Sequence, residues 1–242
     1  VASFFAESQN WYASPLGEML AEQQKRRIEP MLSHIFGYHI IQIYGDQDYL
    51  TSARIKNKLL IDETDRGALL QPALLAHADA LPVQADSVDA VVLPHTLEIS
   101  AQPHQVLREV ERILIPEGQV IIMGFNPWGL VGLRRLVSWR SRFFPWCAAF
   151  YPVSRVTDWL TLLGFDVTRV DRYFFVAPLQ RSAVVSQRKW VDPLGHRVWP
   201  FFSGAYMLMA KKRVSTLTPI RPRWEARLMA NEVTEVRMRK ER

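Results

Sequence analysis

Apolar residues fall in short unbroken runs along this chain, separated by polar or helix-patterned segments. Five such runs follow in order: HIIQIY (39–44), KLLID (58–62), ALLAHA (73–78), VDAVVLP (88–94) and GQVIIMGF (118–125). They are rich in Ile, Val and Leu and do not alternate with polar residues. That pattern predicts strands covered on both faces, as in a parallel sheet. Between the last two runs lies PHQVLREVERILIPEG (103–118), in which Val106, Leu107, Val110, Ile113 and Leu114 share one helical face. Pro116 and Gly118 are expected to stop that helix before the fifth strand. Strands alternating with helices in this way predict a doubly wound α/β sheet.

The chain ahead of the first run, SPLGEMLAEQQKRRIEPMLSHIF (14–36), has helical periodicity. Ser14 can cap its start, Pro15 suits the first turn, and Glu18 places negative charge in that first turn. Leu16, Met19, Leu20, Ile28, Met31, Leu32 and Ile35 form the apolar stripe, with a break expected before Pro30. Residues 1–37 thus read as a helical cover and 38–213 as the main α/β domain. After the fifth strand, residues 127–152 mix Trp, Phe and Arg and read as a cap insertion. A helix and strand follow in VSRVTDWLTLLGFDVTRVDRYFFV (153–176), where Gly164 is placed for a left-handed cap. GAYMLMAKKR (204–213) supplies a last strand.

Charge changes the picture only at the end of the chain. The formal net charge is +6. Lys211 to Arg242 holds ten Lys/Arg against four Asp/Glu, which is +6 by itself, so residues 1–210 balance to zero. Residues 214–242 therefore read as a basic, flexible tail. A tether to nucleic acid or an acidic membrane surface is the sharper alternative, not favoured because the body is neutral and shows no nucleic-acid motif. The single cysteine, Cys147, makes no internal disulfide and suits a reducing compartment, so a cytoplasmic location is expected. The most apolar span, Gly118 to Leu133, is interrupted by Asn126-Pro127, which argues against a membrane helix. No metal is expected, since His34, His39, His77, His104 and His196 lack ligand spacing.

The segment from Asp79 to Pro127 carries an ordered set of short motifs. They are Asp79-Ala80-Leu81-Pro82, Ser87-Val88-Asp89-Ala90-Val91, His95-Thr96-Leu97-Glu98, Leu107-x-Glu109-x-x-Arg112-Ile113-Leu114-x-Pro116-Glu117-Gly118, and Asn126-Pro127. In that order and spacing they resemble the class I S-adenosylmethionine (SAM)-dependent methyltransferases, of the type that modifies small molecules. The resemblance implies a Rossmann-like sheet of seven strands, mostly parallel with the last antiparallel, and SAM as the cofactor. It implies that Asp62, at the end of KLLID, accepts hydrogen bonds from the ribose hydroxyls. Asp79, with Ala80 and Leu81, would face the adenine. Carboxylates suit both tasks because they present only acceptors to donor groups. An ordinary strand-end or capping role is the alternative for Asp62.

The family's glycine-rich turn after the first strand overlays on Tyr44-Gly45-Asp46-Gln47-Asp48. Tyr44, Asp46 and Asp48 stand at the glycine positions, and Gly45 falls between. Asp tolerates the left-handed backbone such a turn needs. A tyrosine ring pointing inward would fill the space that glycine leaves for a cofactor. With Tyr44, Gly45 and Asp46, Pro94 at the end of the fourth strand is a candidate cofactor-binding residue under this resemblance. The crossover connections after the first and second strands are short, close to the dozen residues a parallel connection needs. His95, at the carboxyl end of the fourth strand, is the candidate general base; a packed, non-catalytic histidine is its alternative. Glu98, Asn126, Trp128 and Arg134 are candidates for the acceptor side and cap, the alternatives being a turn-stabilising Glu98 and a cap of core aromatics with solvated arginines. The expectation is a methyltransferase acting on a small-molecule acceptor; the alternative is a methyltransferase-like binding or scaffold protein that has lost SAM.

Overall fold

The computed structural model describes residues 8–64, 72–129, 131–132, 148–175 and 202–213. Helical residues 8–12 lead into α1 (Pro15–Leu32), capped by the Ser14 hydroxyl, which accepts from the Gly17 N–H. Pro30 lies inside α1 and does not break it. It forfeits one N–H near the end of the helix, while the buried Met31 and Leu32 beyond it hold the last turn on the sheet.

The strands are β1 (His39–Ile43), β2 (Asn57–Asp62), β3 (Leu74–Leu75), β4 (Val88–Pro94), β5 (Leu114–Phe125), β6 (Phe165–Tyr173) and β7 (Ala205–Lys212). They form one sheet in the order β3-β2-β1-β4-β5-β7-β6. β1 pairs in parallel with β2 and β4, β2 with β3, and β4 with β5; β7 runs antiparallel between β5 and β6. The helices α2 (Thr96–Ile99), α3 (Pro103–Ile113) and α4 (Val153–Leu162) complete the described elements.

Both faces of the sheet are covered. Ile40, Ala90, Val92, Ile121 and Met123 join α1 in one core. Ile41, Val91, Leu93, Val120 and Ile122 join α3 and α4 in the other. Neighbouring residues of one strand thus bury into opposite layers, which is why the runs read as continuous.

The connection after β1 is as spare as the sequence implied. Between β1 and β2 the only regular element is the 3₁₀ turn Leu50–Ser52. The run 73–78 shrinks to the two-residue β3. The helix expected to reach Pro116 ends at Ile113, and β5 starts at Leu114. The stop signals still act: register slips between Val88 and Ala90 so that Pro116 and Glu117 bulge outward. Glu117 adopts φ 65° there, steadied by Lys211 at 2.7 Å and Arg213 at 2.9 Å. Asp89 caps the start of β1, accepting from Tyr38 N–H at 2.8 Å and His39 N–H at 2.9 Å. Gly164 takes the left-handed cap before β6, at φ 82°.

Candidate functional site

The strand order reverses between β1 and β4, so their carboxyl ends open the crevice in which ligands of such sheets sit. Two side-chain clusters flank it. The first begins at Tyr44, which leaves β1 at φ 63°, followed by Gly45 at φ 105°. The left-handed positions are therefore Tyr44 and Gly45. Asp46 and Asp48 carry none of that conformation, contrary to the overlay on a glycine-rich turn. Gln42 shapes the bend from inside β1. Its amide nitrogen donates to the carbonyls of Tyr44 (3.0 Å) and Gln47 (2.7 Å), and its oxygen accepts from the Tyr49 N–H (3.0 Å). A Cβ on Gly45 would meet Pro94 Cγ at 3.0 Å, so the turn rests directly on the end of β4.

The aspartates of the turn point elsewhere. Asp46 accepts from the Ser8 hydroxyl at 3.0 Å. Asp48 caps the 3₁₀ turn, accepting from Leu50 N–H at 2.8 Å and the Thr51 hydroxyl at 2.9 Å.

The Tyr44 ring turns inward and is buried. Its hydroxyl accepts from the Ala78 N–H at 2.9 Å and reaches Glu63 Oε2 at 3.5 Å. Burial, with the nearby Glu63, Asp62 and Asp79 carboxylates, pushes the phenol well above its ordinary pKa, against the lowering effect of the Ala78 N–H. The hydroxyl therefore keeps its proton and can donate. Asp62 is buried at the end of β2, and its Oδ1 accepts from Glu63 N–H (2.7 Å) and Thr64 N–H (3.4 Å). Glu63 pairs with His77 at 2.9 Å. Asp79 is partly exposed. Ala80 donates its N–H to His77 O at 3.1 Å. Leu81 is tied to α3: its N–H donates to Glu109 (3.2 Å) and its carbonyl accepts from Arg112 (2.9 Å).

The second cluster surrounds His95, at φ 56° and buried with Glu98. His95 Nδ1 lies 2.8 Å from Glu98 Oε2, and His95 Nε2 lies 2.8 Å from the Gln24 amide nitrogen. Gln24 Oε1 accepts from the Tyr49 hydroxyl at 2.5 Å. The donors run one way: Tyr49 to Gln24, Gln24 to His95 Nε2, His95 Nδ1–H to Glu98. That order assigns a neutral imidazole protonated on Nδ1. Glu98 also accepts from the Phe125 N–H. The imidazole stacks on Phe125, with centroids 4.3 Å apart, and Phe125 meets Phe150 at 5.1 Å and Trp11 at 6.2 Å. His95 is therefore enclosed rather than open to solvent. The reason is α1, which brings Gln24 across the end of β4.

Asn126 is buried beyond β5; its N–H donates to Gly204 O (3.0 Å) and its side-chain oxygen accepts from the Trp128 N–H (3.2 Å). The Trp128 side chain is exposed. Arg134, most of the 127–152 cap and the tail 214–242 lie outside the described residues. The sequence reading missed Gln24, Gln42, Tyr49 and Glu63. Two signals were available: Gln24 sits on the Leu20–Ile28 stripe of α1 at four-residue spacing, and Gln42 interrupts an otherwise apolar strand.

The methyltransferase domain family matches residues 34–122, which is the crevice half of the sheet. The sheet and its covering helices have the fold of SAM-dependent methyltransferases. A SAM-dependent methyltransferase of Thermotoga maritima has the same fold, at TM-score 0.65 and 18% identity over 87% of this chain and 97% of that one. Another, from Archaeoglobus fulgidus, overlays at TM-score 0.55 and 14% identity, covering 79% of this chain and 94% of that one. In sequence, the uncharacterized protein YafS of Escherichia coli (strain K12) is 28% identical over 208 residues, 86% of this chain and 82% of the relative. Among the described residues, no helix is long and apolar enough to cross a membrane.

The acceptor groups at the crevice suit a nucleoside. Carboxylates stand after β2 and β3, where a bound nucleoside presents hydroxyl and amino donors. The Tyr44 ring stands among them.

Proposed function

We propose that this protein transfers a methyl group from SAM to a small-molecule acceptor in the cytoplasm. What supports this reading is the placement of two unlike groups on either side of the switch point. The carboxylates Asp62, Glu63 and Asp79 follow β2 and β3, and the His95–Glu98 pair follows β4. Asp62 or Glu63 would hold the ribose and Asp79 the adenine amino group, with Gly45 and Pro94 bordering the methionine part. Bound SAM supplies an electrophilic methyl on a sulfonium.

The chain's own contribution is a base and its orientation. With Nδ1–H donated to Glu98, His95 Nε2 is left as the proton acceptor. An acceptor hydroxyl or amine that replaced the Gln24 amide at Nε2 would give its proton there. The Glu98 carboxylate would then stabilise the imidazolium. Positioning does the rest, since transfer from a sulfonium depends chiefly on alignment.

The test is calorimetric titration of the folded protein with SAM, followed by methyl transfer to a panel of amine, hydroxyl and carboxylate acceptors. Saturable binding that weakens in Asp79→Ala, and turnover that drops in His95→Ala, are expected. No heat at millimolar SAM would sink the reading.

A second reading is favoured by the inward Tyr44 ring: a methyltransferase-like scaffold without cofactor. Stoichiometric SAM binding that Asp79→Ala abolishes would rule it out.

A further inference from the structure

We infer that Tyr44 is a built-in competitor for the nucleoside subsite and must swing out before SAM can bind; this rests on the crevice being the cofactor site. Three observations carry it. The first is what the phenol touches. Its oxygen accepts the backbone N–H of Ala78, after β3, and faces the Glu63 carboxylate, after β2. One backbone donor and one carboxylate acceptor at the ends of adjacent strands are the polar partners that a ring nitrogen and a ribose hydroxyl would take. A flat ring bearing one hydroxyl satisfies both.

The second observation is the backbone. Tyr44 sits at φ 63°, a region that disfavours a side chain as bulky as tyrosine. It is held there by hydrogen bonds and burial. Its N–H donates to Ile61 O at 2.8 Å, its carbonyl accepts from Gln42, and it belongs to the buried apolar cluster that includes Ile61 and Leu81. An outward movement of the ring that carries the Tyr44 backbone with it would also release that strain, a compensating gain for the outward state.

The third is the adjoining turn. Gly45, at φ 105°, follows Tyr44 directly and has no side chain to press on Pro94 and Gln42. A rotation of Tyr44 can therefore be absorbed at Gly45, the residue best able to change its dihedrals.

A ligand that binds only the ring-out form has its apparent affinity reduced by the fraction of molecules in that form. For a minor state of a few per cent, Tyr44→Gly is expected to bind SAM about tenfold more tightly or better than the native chain. Glycine also accepts the native φ, so the turn itself is not penalised. Tyr44→Phe keeps the ring and loses both hydrogen bonds, and is expected to fall between the two.

The experiment is calorimetric titration of the full chain and both variants with SAM. Alongside it, ¹⁹F NMR of fluorotyrosine-labelled native protein reports the Tyr44 resonance, assigned by its loss in Tyr44→Phe. Tighter binding by the variants, and a Tyr44 signal that moves to a solvent-exposed shift on adding SAM, are the expected results. Equal affinity of all three proteins, or a Tyr44 signal unmoved at saturation, overturns the inference while leaving the cofactor assignment intact. No binding by any folded protein overturns both.

Discussion

The Gln24 amide nitrogen lies 2.8 Å from His95 Nε2. A residue of the helix that precedes the sheet thus decides which nitrogen of a buried imidazole carries the proton. Gln24→Leu removes the donor to His95 and the acceptor of the Tyr49 hydroxyl together. Leaving those buried groups unpaired is expected to cost about 1–3 kcal/mol. Urea denaturation measures the loss, and ¹⁵N shifts of His95 report its tautomer. A variant with native stability and native imidazole shifts would remove Gln24 from any positioning role.

Five phenols, those of Tyr12, Tyr44, Tyr49, Tyr173 and Tyr206, are pushed up chiefly by burial. Raised folded values mean that the unfolded chain loses these protons first. Their contribution is complete below the free tyrosine value near about pH 10 and is lost as pH rises beyond it. Absorbance at the tyrosinate band should therefore show one cooperative alkaline step coincident with loss of secondary structure. Gradual ionisation of all seven tyrosines in the folded protein would contradict this.

Glu109 behaves in the opposite sense. The Arg112 guanidinium hydrogen-bonds its carboxylate and the Leu81 N–H adds to it, so its pKa is held below the ordinary value. That stabilisation is present above the unfolded value of about 4.3 and fades as pH falls through the lower folded value. Arg112 is partly exposed, so the expected size is only ~0.5 kcal/mol. Glu109→Gln should flatten the acid limb of the stability profile. An unchanged limb in denaturant titrations between neutral and acid pH would show that other carboxylates set it.

Lys212 is nearly buried at the end of β7. Its ammonium donates to Glu111 O at 2.7 Å, Leu114 O at 2.8 Å and Asp86 Oδ1 at 3.0 Å. Lys212→Met keeps the stem and leaves those carbonyls without their donor. A loss of about 1–3 kcal/mol is expected, read as a lower urea midpoint. No change would mean that water replaces the ammonium.

Much of the sheet was legible because its strands are buried on both faces: Ile40 to Ile43, Val88 to Leu93 and Val120 to Phe125 announce themselves as apolar runs. Helix limits were harder. Pro116 marks a real interruption, but it falls inside β5 as a bulge, since Leu114 already pairs with Val88. The site was legible as positions more than as roles. Asp62 closes β2, His95 follows β4, and Asp79 lies four residues beyond β3. The direction of the Tyr44 ring, and the reach of Gln24 to His95, depend on contacts between residues far apart in the chain. No local pattern encodes such contacts.

The strand that occupies the interior slot between β5 and β6 is the last of the seven to leave the ribosome. Until residues 205–212 emerge, two sheet edges stay bare, on β5 and on β6, each a template for mispairing with another chain. Production of this protein should therefore be unusually sensitive to premature termination before Lys212. Nascent chains stalled short of that point are natural clients for chaperones.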